Sequence, residues 1–419
     1  MKKLFVLLLA VCMCIGMFAG CGTPAPATAS PAVTENPTVT PAAEKKTITL
    51  WYYWENQMQQ QTLASVLDTY NSSQNNVTVQ TKYIPFADFK KQLSIGVVSD
   101  ALPDIVIIDN PDHAAYASMG IFADLTDKLK DWPDMQQYYQ GPINSCTLDG
   151  KLYGLPFGSN CLMLYYNTDM FSAAGLSTPP ATWDDLLTDA KKLTTDKVTG
   201  FAVSSPQNEE GTFGFLPFLW STGNTSFQIN NEGGIKALTL YKDLVDSGAM
   251  SKEVINWTQG DVMHQFISGN VAMMINGPWQ VPTMREQAKD LKWKVALIPQ
   301  DKQLASDLGG ENFAVINNKN VDASVDLLKW IASPDVMKTY IDKYGYIASR
   351  KDVSATQFSG DDIMRAFVDQ MQYANPRGPS PKRPDISNAI STAFSEVLIG
   401  GDPAAAAKKA QDAIDGIVK

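Results

Sequence analysis

The sequence predicts an α/β fold around a parallel sheet, and three observations near the start of its globular part support this. Residues 47–53 alternate β-branched and aromatic side chains as a strand does, and residues 57–72 carry apolar side chains at helical spacing. Residues 77–82, 86–99 and 105–108 repeat the strand, helix, strand order, and the last stretch, IVII, is continuously apolar. Because such units connect by right-handed crossovers, we expect parallel strands that are buried on both faces.

The first 46 residues predict a leader and a tether. Two lysines precede an apolar run that is too short to span a membrane, so residues 1–20 are typical of a secretion signal. The block FAGC at 18–21 resembles a bacterial lipobox, although its first residue is Phe where Leu is usual. We therefore expect a lipidated Cys21 and a disordered linker over 21–46, which is rich in Pro and Thr. Ordinary secretion with cleavage elsewhere is the alternative.

Charge and cysteine content exclude several classes of protein. A net charge of −10 argues against a nucleic-acid partner and against adhesion to anionic lipid. Two histidines, and cysteines without metal-ligand spacing, predict no metal centre, and we expect no cofactor. Outside the leader and the lipobox, the remaining cysteines are Cys146 and Cys161. They either pair in an oxidising compartment or stay as buried free thiols.

The rest of the chain predicts a second domain and more α/β structure. The residues after the linker are too many for one core, so two domains are expected. Asp149-Gly150 indicates a turn, and Thr182 to Asp185 form a capping box that opens a helix. After Pro334 the chain is expected to be nearly all helix. Further strands are predicted at 162–166, 271–275, 293–298 and 313–316, and further helices at 233–247, 261–268 and 321–331.

Eight sequence blocks in a fixed order carry a family resemblance. They are TLWYYW (49–54), IPFADFKKQL (84–93), LPDIVIIDN (102–110), DGKLYGLPF (149–157), LYYNTDMFSAAGL (164–176), PPATWDDL (179–186), FISGNVAMMINGPW (266–279) and LGGENFAV (308–315). With these blocks the chain resembles the family 1 extracellular solute-binding proteins of ATP-binding-cassette (ABC) importers, which are sugar-binding relatives of maltodextrin-binding protein. The resemblance implies a two-lobe, periplasmic-binding-protein-like fold of type II, with a three-strand hinge and a ligand cleft between the lobes.

The resemblance also implies a domain plan and a function. Lobe 1 would comprise 47–158 plus 299–345, and lobe 2 would comprise 160–297 plus 349–419. The protein would be a monomeric extracytoplasmic lipoprotein on the outer face of the bacterial cell membrane. It would capture a sugar or oligosaccharide by hinge closure and deliver it to the permease subunits of an ABC importer, without chemistry on the sugar.

Two groups of candidate ligand-binding residues follow from the order of strands. Ligands of parallel sheets bind beyond the carboxyl ends of the strands, where Trp54, Glu55 and Asn56 follow the first strand and Asp109 and Asn110 follow the third. An aromatic ring can cover the apolar face of a sugar, while carboxylates and amides satisfy its hydroxyl rim. The alternative is that Trp54 belongs to the core and that Asp109-Asn110 only caps a helix.

The resemblance adds candidates from the first crossing and from the later chain. Trp279, after the turn Asn276-Gly277-Pro278, is expected to stack on the sugar, and the arginine among the other candidates suits vicinal hydroxyls. The alternative for the aromatic candidates is packing, for the acidic pair a solvated loop, and for the glycine a plain turn. These candidates are Phe157, Asn160, Glu209, Glu210, Trp220, Trp279, Gly310, Glu311 and Arg377.

Two other functions stay open at this point. A tethered glycoside hydrolase also needs aromatic side chains and a pair of carboxyls in a cleft, and the chain has many acidic residues. The same fold is also compatible with a non-sugar solute or with the ligand module of a sensor.

Overall fold

The computed structural model describes residues 45–224 and 227–419. The predicted leader, Cys21 and almost all of the predicted linker lie outside these residues. Lys46 already begins the first strand, so the linker prediction ends one residue too late. Within the described ranges, every helix is too short or too polar to cross a membrane.

Strands and helices alternate along the chain. The strands of the described part are β1 (Lys46–Tyr52), β2 (Val77–Tyr83), β3 (Ile105–Asp109), β4 (Thr147–Leu148), β5 (Lys151–Leu152), β6 (Gly154–Asn160), β7 (Met163–Asn167), β8 (Ala202–Val203), β9 (Met273–Asn276), β10 (Trp293–Ala296), β11 (Ser306–Val315), β12 (Ile347–Ala348) and β13 (Ala374–Pro376). The α-helices are α1 (Gln57–Ser73), α2 (Phe86–Ser99), α3 (Asn110–Ser118), α4 (Thr126–Leu129), α5 (Gln140–Ser145), α6 (Thr168–Ala173), α7 (Trp183–Leu193), α8 (Glu209–Ser221), α9 (Glu232–Asp246), α10 (Gln259–Ile267), α11 (Val281–Gln287), α12 (Val321–Ile331), α13 (Pro334–Tyr340), α14 (Lys351–Ser354), α15 (Asp362–Gln370), α16 (Arg383–Leu398) and α17 (Pro403–Val418). Short 3-10 turns cover Pro133–Gln137, Lys252–Asn256, Pro278–Gln280, Ile341–Tyr344 and Met371–Tyr373.

The larger sheet is mixed. Its strand order is β12-β6-β11-β3-β1-β2, with β13 paired to β11. Strand β1 pairs in parallel with β2 and β3, as the sequence predicts, whereas β11 runs antiparallel to both β3 and β6. This antiparallel insertion brings Glu311 of β11 directly opposite Asp109 at the end of β3. The carboxyl ends of the parallel strands and the start of β11 therefore meet at one edge.

The smaller sheet has four strands in the order β10-β7-β9-β8. Strand β7 is antiparallel to β9 and β10, and β8 is parallel to β9. Helix α8 is buried along nearly its whole length, which places an apolar helix inside this half of the molecule. The chain leaves β9 into the turn that carries Trp279.

The described residues form two separate hydrophobic cores, which define the two lobes named here. The first lobe packs residues between 48 and 157 and between 313 and 353 around the larger sheet. The second lobe packs residues between 161 and 305 and between 364 and 414 around the smaller sheet. Ala305 packs in the second core and Val353 in the first, which is later in the chain than the predicted changes of lobe at 299 and 345.

Cys146 and Cys161 are free and buried. Cys146 lies in the first core and Cys161 lies in the second, so the two thiols sit in different lobes. Burial raises the pKa of both thiols. Of the two alternatives that the sequence leaves open, the structure contains the unpaired thiols.

Local signals in the sequence fare differently along the chain. The capping box at Thr182 is present, and Asp149 and Gly150, both at positive φ, form the turn between β4 and β5. Strand β11 begins at Ser306, seven residues before the predicted strand start at 313. After Pro334, where nearly all helix is expected, helices α13 to α17 are interrupted by two short strands, β12 and β13, which pair with β6 and β11.

Candidate functional site

A cleft lies between the two lobes and contains about 760 Å³ of empty space, part of which is open to solvent. Most residues that the sequence nominates reach it from both lobes. They are Trp54, Glu55, Asn56, Asp109, Asn160, Glu209, Glu210, Trp279, Gly310, Glu311 and Arg377. Sequence reasoning missed other lining residues, of which Tyr53, Phe86, Phe213, Gln259 and Tyr346 matter below.

Three nominated residues lie outside the cleft lining, for identifiable reasons. Phe157 is 1% exposed and packs against Trp54, so it belongs to the first core. Trp220 lies eleven residues after Glu209 on α8, about three helical turns from the cleft, and its Nε1 donates to Asp307 at 2.6 Å. Asn110 begins α3 and accepts a 3.2 Å hydrogen bond from Arg377, so it supports a cleft residue instead of lining the cleft.

The end of β1 positions the first group of cleft residues. Asn56 caps α1 through a 2.9 Å hydrogen bond that its Oδ1 accepts from the Met58 amide. The Nδ2 of Asn56 donates to Oγ1 of Thr283, which belongs to α11 of the second lobe. Asn56 therefore both starts a helix of one lobe and contacts the other lobe across the cleft.

Glu209 and Glu210 are the first residues of the largely buried helix α8, which excludes the alternative of a solvated loop for this acidic pair. Asn208 caps this helix by accepting from the Glu210 amide at 2.8 Å. The carboxylate of Glu210 accepts from Ser204 at 3.0 Å and from the Gln259 amide at 2.9 Å. Burial raises the pKa of Glu210 to about 7. Glu210 is therefore partly protonated at neutral pH.

A buried ionic cluster joins the lobes at one side of the cleft; we call Asp109, Glu209, Arg377 and Arg383 the Arg377 cluster. The guanidinium of Arg377 donates to both carboxylate oxygens of Asp109, at 2.8 and 3.1 Å, and to Oε1 of Glu209 at 2.7 Å. Arg383 donates to the same Glu209 oxygen at 3.1 Å. Its bidentate geometry makes Arg377 a fixed link between β3 of the first lobe and α8 of the second.

The charges of this cluster are mutually compensated. Burial acts to raise the pKa of Glu209, but the guanidiniums of Arg383 and Arg377 outweigh it and lower that pKa to about 2. Burial also raises the pKa of Asp109, and the contact with Arg377 opposes the rise. The guanidinium of Arg377 lies over the Phe213 ring, 4.3 Å from its centre. Arg377 is thus committed to protein carboxylates.

Glu311 occupies a different electrostatic environment on the same cleft. Its Oε1 accepts hydrogen bonds from the hydroxyls of Tyr346 at 2.8 Å and Tyr53 at 3.3 Å. Its Oε2 is buried and has no partner among the described residues. Burial first, and then the nearby Asp109 charge, raise the pKa of Glu311 to about 8. The carboxyl is therefore mostly protonated at neutral pH.

Trp279 forms an aromatic wall that contacts both lobes. Its ring is half-buried, packs against both cores, and lies 6.2 Å from the Phe213 ring. Gly277 makes room for it, since a Cβ at that position would come within 1.9 Å of the indole. Tyr165 donates to the Gly277 carbonyl at 2.7 Å and fixes the turn. The local sequence thus presents a large flat ring to the cleft.

Gly310 lies inside β11 and not in a turn. Its φ is 141°, and a Cβ there would come within 2.2 Å of the Gly158 carbonyl on β6. The register between these strands shifts next to it, between Glu311 and Asn312. The glycine is therefore required by the neighbouring strand, and the irregularity sets how Glu311 enters the cleft.

The cleft as a whole combines flat rings with unsatisfied polar atoms. Rings come from the first lobe at Tyr53 and Phe86 and from the second lobe at Trp279. Oδ1 of Asn160 and Oε2 of Glu311 are buried without hydrogen-bond partners in the described protein. Since buried polar atoms are normally hydrogen-bonded, these atoms suit a polar ligand that also has apolar faces.

Residues 65–366 match the family model described as a bacterial extracellular solute-binding protein. The chain belongs to this family. It is similar to a putative binding protein of Brucella abortus, with 25% identity over 84% of this chain and 89% of the relative. It is also similar to a lactose-binding protein of Rhizobium radiobacter, with 25% identity over 85% of this chain and 89% of the relative.

A solved structure supports the same conclusion for the fold of this solute-binding protein. The chain superposes on an ABC transporter solute-binding protein from Thermotoga lettingae, bound with α-D-tagatose, with a TM-score of 0.83 and 28% identity. The match covers 90% of this chain and 100% of that one. The family and the two-lobe α/β fold that the sequence predicts are thereby confirmed.

Proposed function

We propose that this protein is the sugar-binding component of an ABC importer, which captures a sugar or oligosaccharide between its lobes and delivers it to the permease. The observation that carries the proposal is the pairing, in one cleft, of aromatic rings from both lobes with buried polar atoms that lack protein partners. Rings cover the C–H faces of a sugar, and the free polar atoms meet its hydroxyls. The lactose and tagatose named for two relatives agree with this ligand class.

Capture works by closure of the lobes. In this structure the lobes contact across the cleft through Asn56 and Thr283 and through Asp109 and Arg377. A sugar that contacts both walls favours the closed arrangement over an open one, because only the closed arrangement offers all of its contacts. The permease would then recognise the closed form.

The sugar is released intact in this account. A glycoside hydrolase needs one protonated carboxyl and one ionised carboxylate beside the scissile bond, with their pKa values pushed apart. Here Glu210 and Glu311 both have raised pKa values, of about 7 and about 8, so the ionised partner would have to be Glu209 or Asp109, and Arg377 binds both. The firmly ionised Glu209 is held by two arginines and by Ser387. This arrangement favours binding over hydrolysis.

Delivery needs the protein to stay near the membrane. We propose that Cys21 carries lipid on the outer face of the cell membrane and that the Pro-rich segment after it acts as a tether for a monomeric binding protein. As a coil, such a segment of 25 residues would span about 25–30 Å, which leaves the lobes free to meet both sugar and permease. Metabolic labelling with a palmitate analogue, with Cys21→Ser as control, tests the lipid.

A thermal-shift panel tests the sugar claim. The panel contains D-tagatose, lactose, a galactooligosaccharide mixture and maltotriose, with glycine betaine and glutamate as non-sugar controls. At 100 times its Kd, a sugar should stabilise the protein by about 2.7 kcal/mol, which raises Tm by several degrees. A shift with a control solute and none with any sugar would contradict the proposal and favour a non-sugar ligand.

A further inference from the structure

Two carboxyls face each other at the edge of the larger sheet. Glu311 on β11 and Asp109 on β3 are direct partners in adjacent antiparallel strands. Like charges at such opposite positions destabilise a sheet, and two close carboxyls seldom ionise together. Arg377 donates to both oxygens of Asp109 and makes no hydrogen bond to Glu311. The geometry therefore assigns the negative charge to Asp109 and the proton to Glu311.

Among the described residues, no basic side chain donates a hydrogen bond to Glu311, and burial outweighs the Arg377 charge, which acts to lower the pKa of Glu311. On α3, Asp112 is paired with Lys90 at 2.8 Å, and burial lowers the pKa of His113 to about 3, so His113 stays neutral. The remaining ionisable groups on the elements against this strand are Glu209 and Glu210 on α8, Asp307 on β11 itself, Asp322, Asp326 and Lys329 on α12, Tyr373 in the turn Met371–Tyr373, and the hydroxyls of Tyr53 and Tyr346. Glu209 is held by arginines, and the tyrosines only donate to Oε1 of Glu311.

The hydrogen bonds leave one place for the proton. Oε1 of Glu311 already accepts hydrogen bonds from two phenol hydroxyls, whereas Oε2 is buried and has no partner in the described protein. Glu311 is 7% exposed and lines the cleft. Resting on the proposed sugar-binding function, we propose that Glu311 is a specificity-determining residue, which binds the sugar as a neutral acid by donating the Oε2 proton to a ligand oxygen. The role selects an uncharged sugar over one that carries a protonated amine, which would require the ionised carboxylate.

The proposal predicts a pH-dependent affinity. Burial and the Asp109 charge raise the pKa of Glu311 to about 8, so the donor is present at pH 7 and lost above pH 8. If only the protonated form donates, Kd should be about tenfold higher at pH 9 than at pH 7. Glu311→Gln supplies an N–H donor that does not titrate. Its Kd should change less than twofold over the same range.

Calorimetric titration with the panel sugar that raises Tm most provides the test, at pH 7, 8 and 9. The variants are Glu311→Gln, Glu311→Leu and Glu210→Gln, and circular dichroism checks their folding. We expect Glu311→Gln to bind at least tenfold more tightly than Glu311→Leu. Glu210→Gln is the matched control, because Glu210 also titrates in the cleft; it should keep the tenfold rise between pH 7 and 9.

Four results would overturn this role. The first is equal wild-type affinity at pH 7 and 9, a measurement that needs no variant. The second is a Glu311→Gln profile that follows the wild type. The third is a Glu210→Gln protein whose Kd no longer rises between pH 7 and pH 9, which would mean that Glu210 and not Glu311 causes the pH dependence. The fourth is a Glu311→Gln protein that binds no better than Glu311→Leu, which would mean that the sugar needs a carboxylate acceptor. Each leaves sugar binding intact, whereas absence of binding by every panel sugar would defeat the proposed function itself.

Discussion

Two buried glutamates on opposite walls of the cleft differ sharply in protonation. Glu209 begins α8 in the second lobe and has a pKa lowered to about 2, whereas Glu311 on β11 of the first lobe has a pKa raised to about 8. Burial acts to raise the pKa of both groups. Direct contact with Arg383 and Arg377 reverses that effect for Glu209, whereas Glu311 bonds to tyrosine hydroxyls, lies opposite a carboxylate, and feels the Arg377 charge without a hydrogen bond to it. The contact partners, and not the depth of burial, decide the charge.

This difference in charge suggests two separate roles for the cleft residues. In the Arg377 cluster the arginines pair with the carboxylates of the cluster, and these ion pairs connect β3 of one lobe to α8 of the other. Glu311 and Trp279 also line this cleft and contribute a free polar atom and a flat ring; we call these two residues the neutral side and the Arg377 cluster the charged side. In this account the charged side aligns the lobes, and the neutral side binds the sugar.

The largest effect should follow loss of the central cation in Arg377→Met. This change leaves Asp109 and Glu209 with less compensation in the interior, so the free energy of unfolding should fall by about 3–5 kcal/mol at pH 7. Urea denaturation measures it. Arg285→Met is the matched control, because the Arg285–Asp361 pair is partly exposed and its loss should cost less than about 1 kcal/mol. Equal losses in the two variants would contradict the cluster's role.

A matched pair of substitutions, Glu209→Gln and Glu311→Gln, sharpens the comparison directly. The folded pKa of Glu209 lies below its usual 4.5, so its stabilisation is full above pH 4.5 and is lost as pH falls toward 2. Glu209→Gln should therefore cost roughly 3 kcal/mol at pH 7 and less at pH 3. The folded pKa of Glu311 lies above 4.5, so its contribution is most favourable below pH 4.5 and is lost as pH rises through 8.

Glu311→Gln should consequently be at least as stable as the wild type at pH 8, in the opposite direction to Glu209→Gln. Denaturation of both variants at pH 3, 5 and 8 measures the two slopes. Parallel pH dependences would show that the two glutamates share one environment, against the structure.

Trp279→Ala tests the neutral side without touching an ion pair. Loss of a stacked ring should weaken sugar binding by about 2 kcal/mol, or roughly thirtyfold. The sequence alone predicts that the melting point of the ligand-free protein stays nearly constant. In the structure the ring packs on both cores, so its loss should lower the free energy of unfolding of the ligand-free protein by about 1–2 kcal/mol. Trp132→Ala removes a half-buried ring of the first lobe outside the cleft and should keep the sugar response. The reverse pattern would make Trp279 a core residue only.

Thr283→Val removes an uncharged hydrogen bond between the lobes and should have the smallest effect. One hydrogen bond to Asn56 contributes about 1 kcal/mol, so sugar affinity should fall about fivefold while α1 keeps its cap. Calorimetry and apo melting measure the two quantities. Unchanged sugar affinity together with a lower melting point of the ligand-free protein would mean that the Asn56–Thr283 hydrogen bond is equally present with and without sugar, and does not depend on closure of the lobes.

The sequence could locate part of this site because strand ends are set locally. Local sequence patterns predict the order β1, α1, β2, α2 and β3. Because ligands bind beyond the carboxyl ends of such strands, this order predicts Trp54 to Asn56 and Asp109 as site residues. The position of Glu311 opposite Asp109 depends on an antiparallel insertion by a strand about 200 residues later, which no local pattern reports. Helix α8 also escaped prediction, because it is apolar on all sides and shows no helical period.

The same limit explains the misplaced aromatic residues. Phe157 and Trp220, like Trp279, are aromatic residues beside turn-forming sequence. Phe157 nevertheless packs in the first core, and Trp220 donates a hydrogen bond to Asp307. Which aromatic ring faces the cleft depends on which end of its helix or strand points there. That information resides in the packing of the two lobes.

The central claim is that the cleft holds one sugar molecule and releases it unchanged. Calorimetric titration of the purified protein with the most stabilising panel sugar, followed by mass spectrometry of the sugar recovered after denaturation, measures both parts. We predict one sugar bound per protein chain and a recovered mass equal to that supplied. Heat that continues without saturation, together with shorter sugar products, would contradict the account and identify a hydrolase.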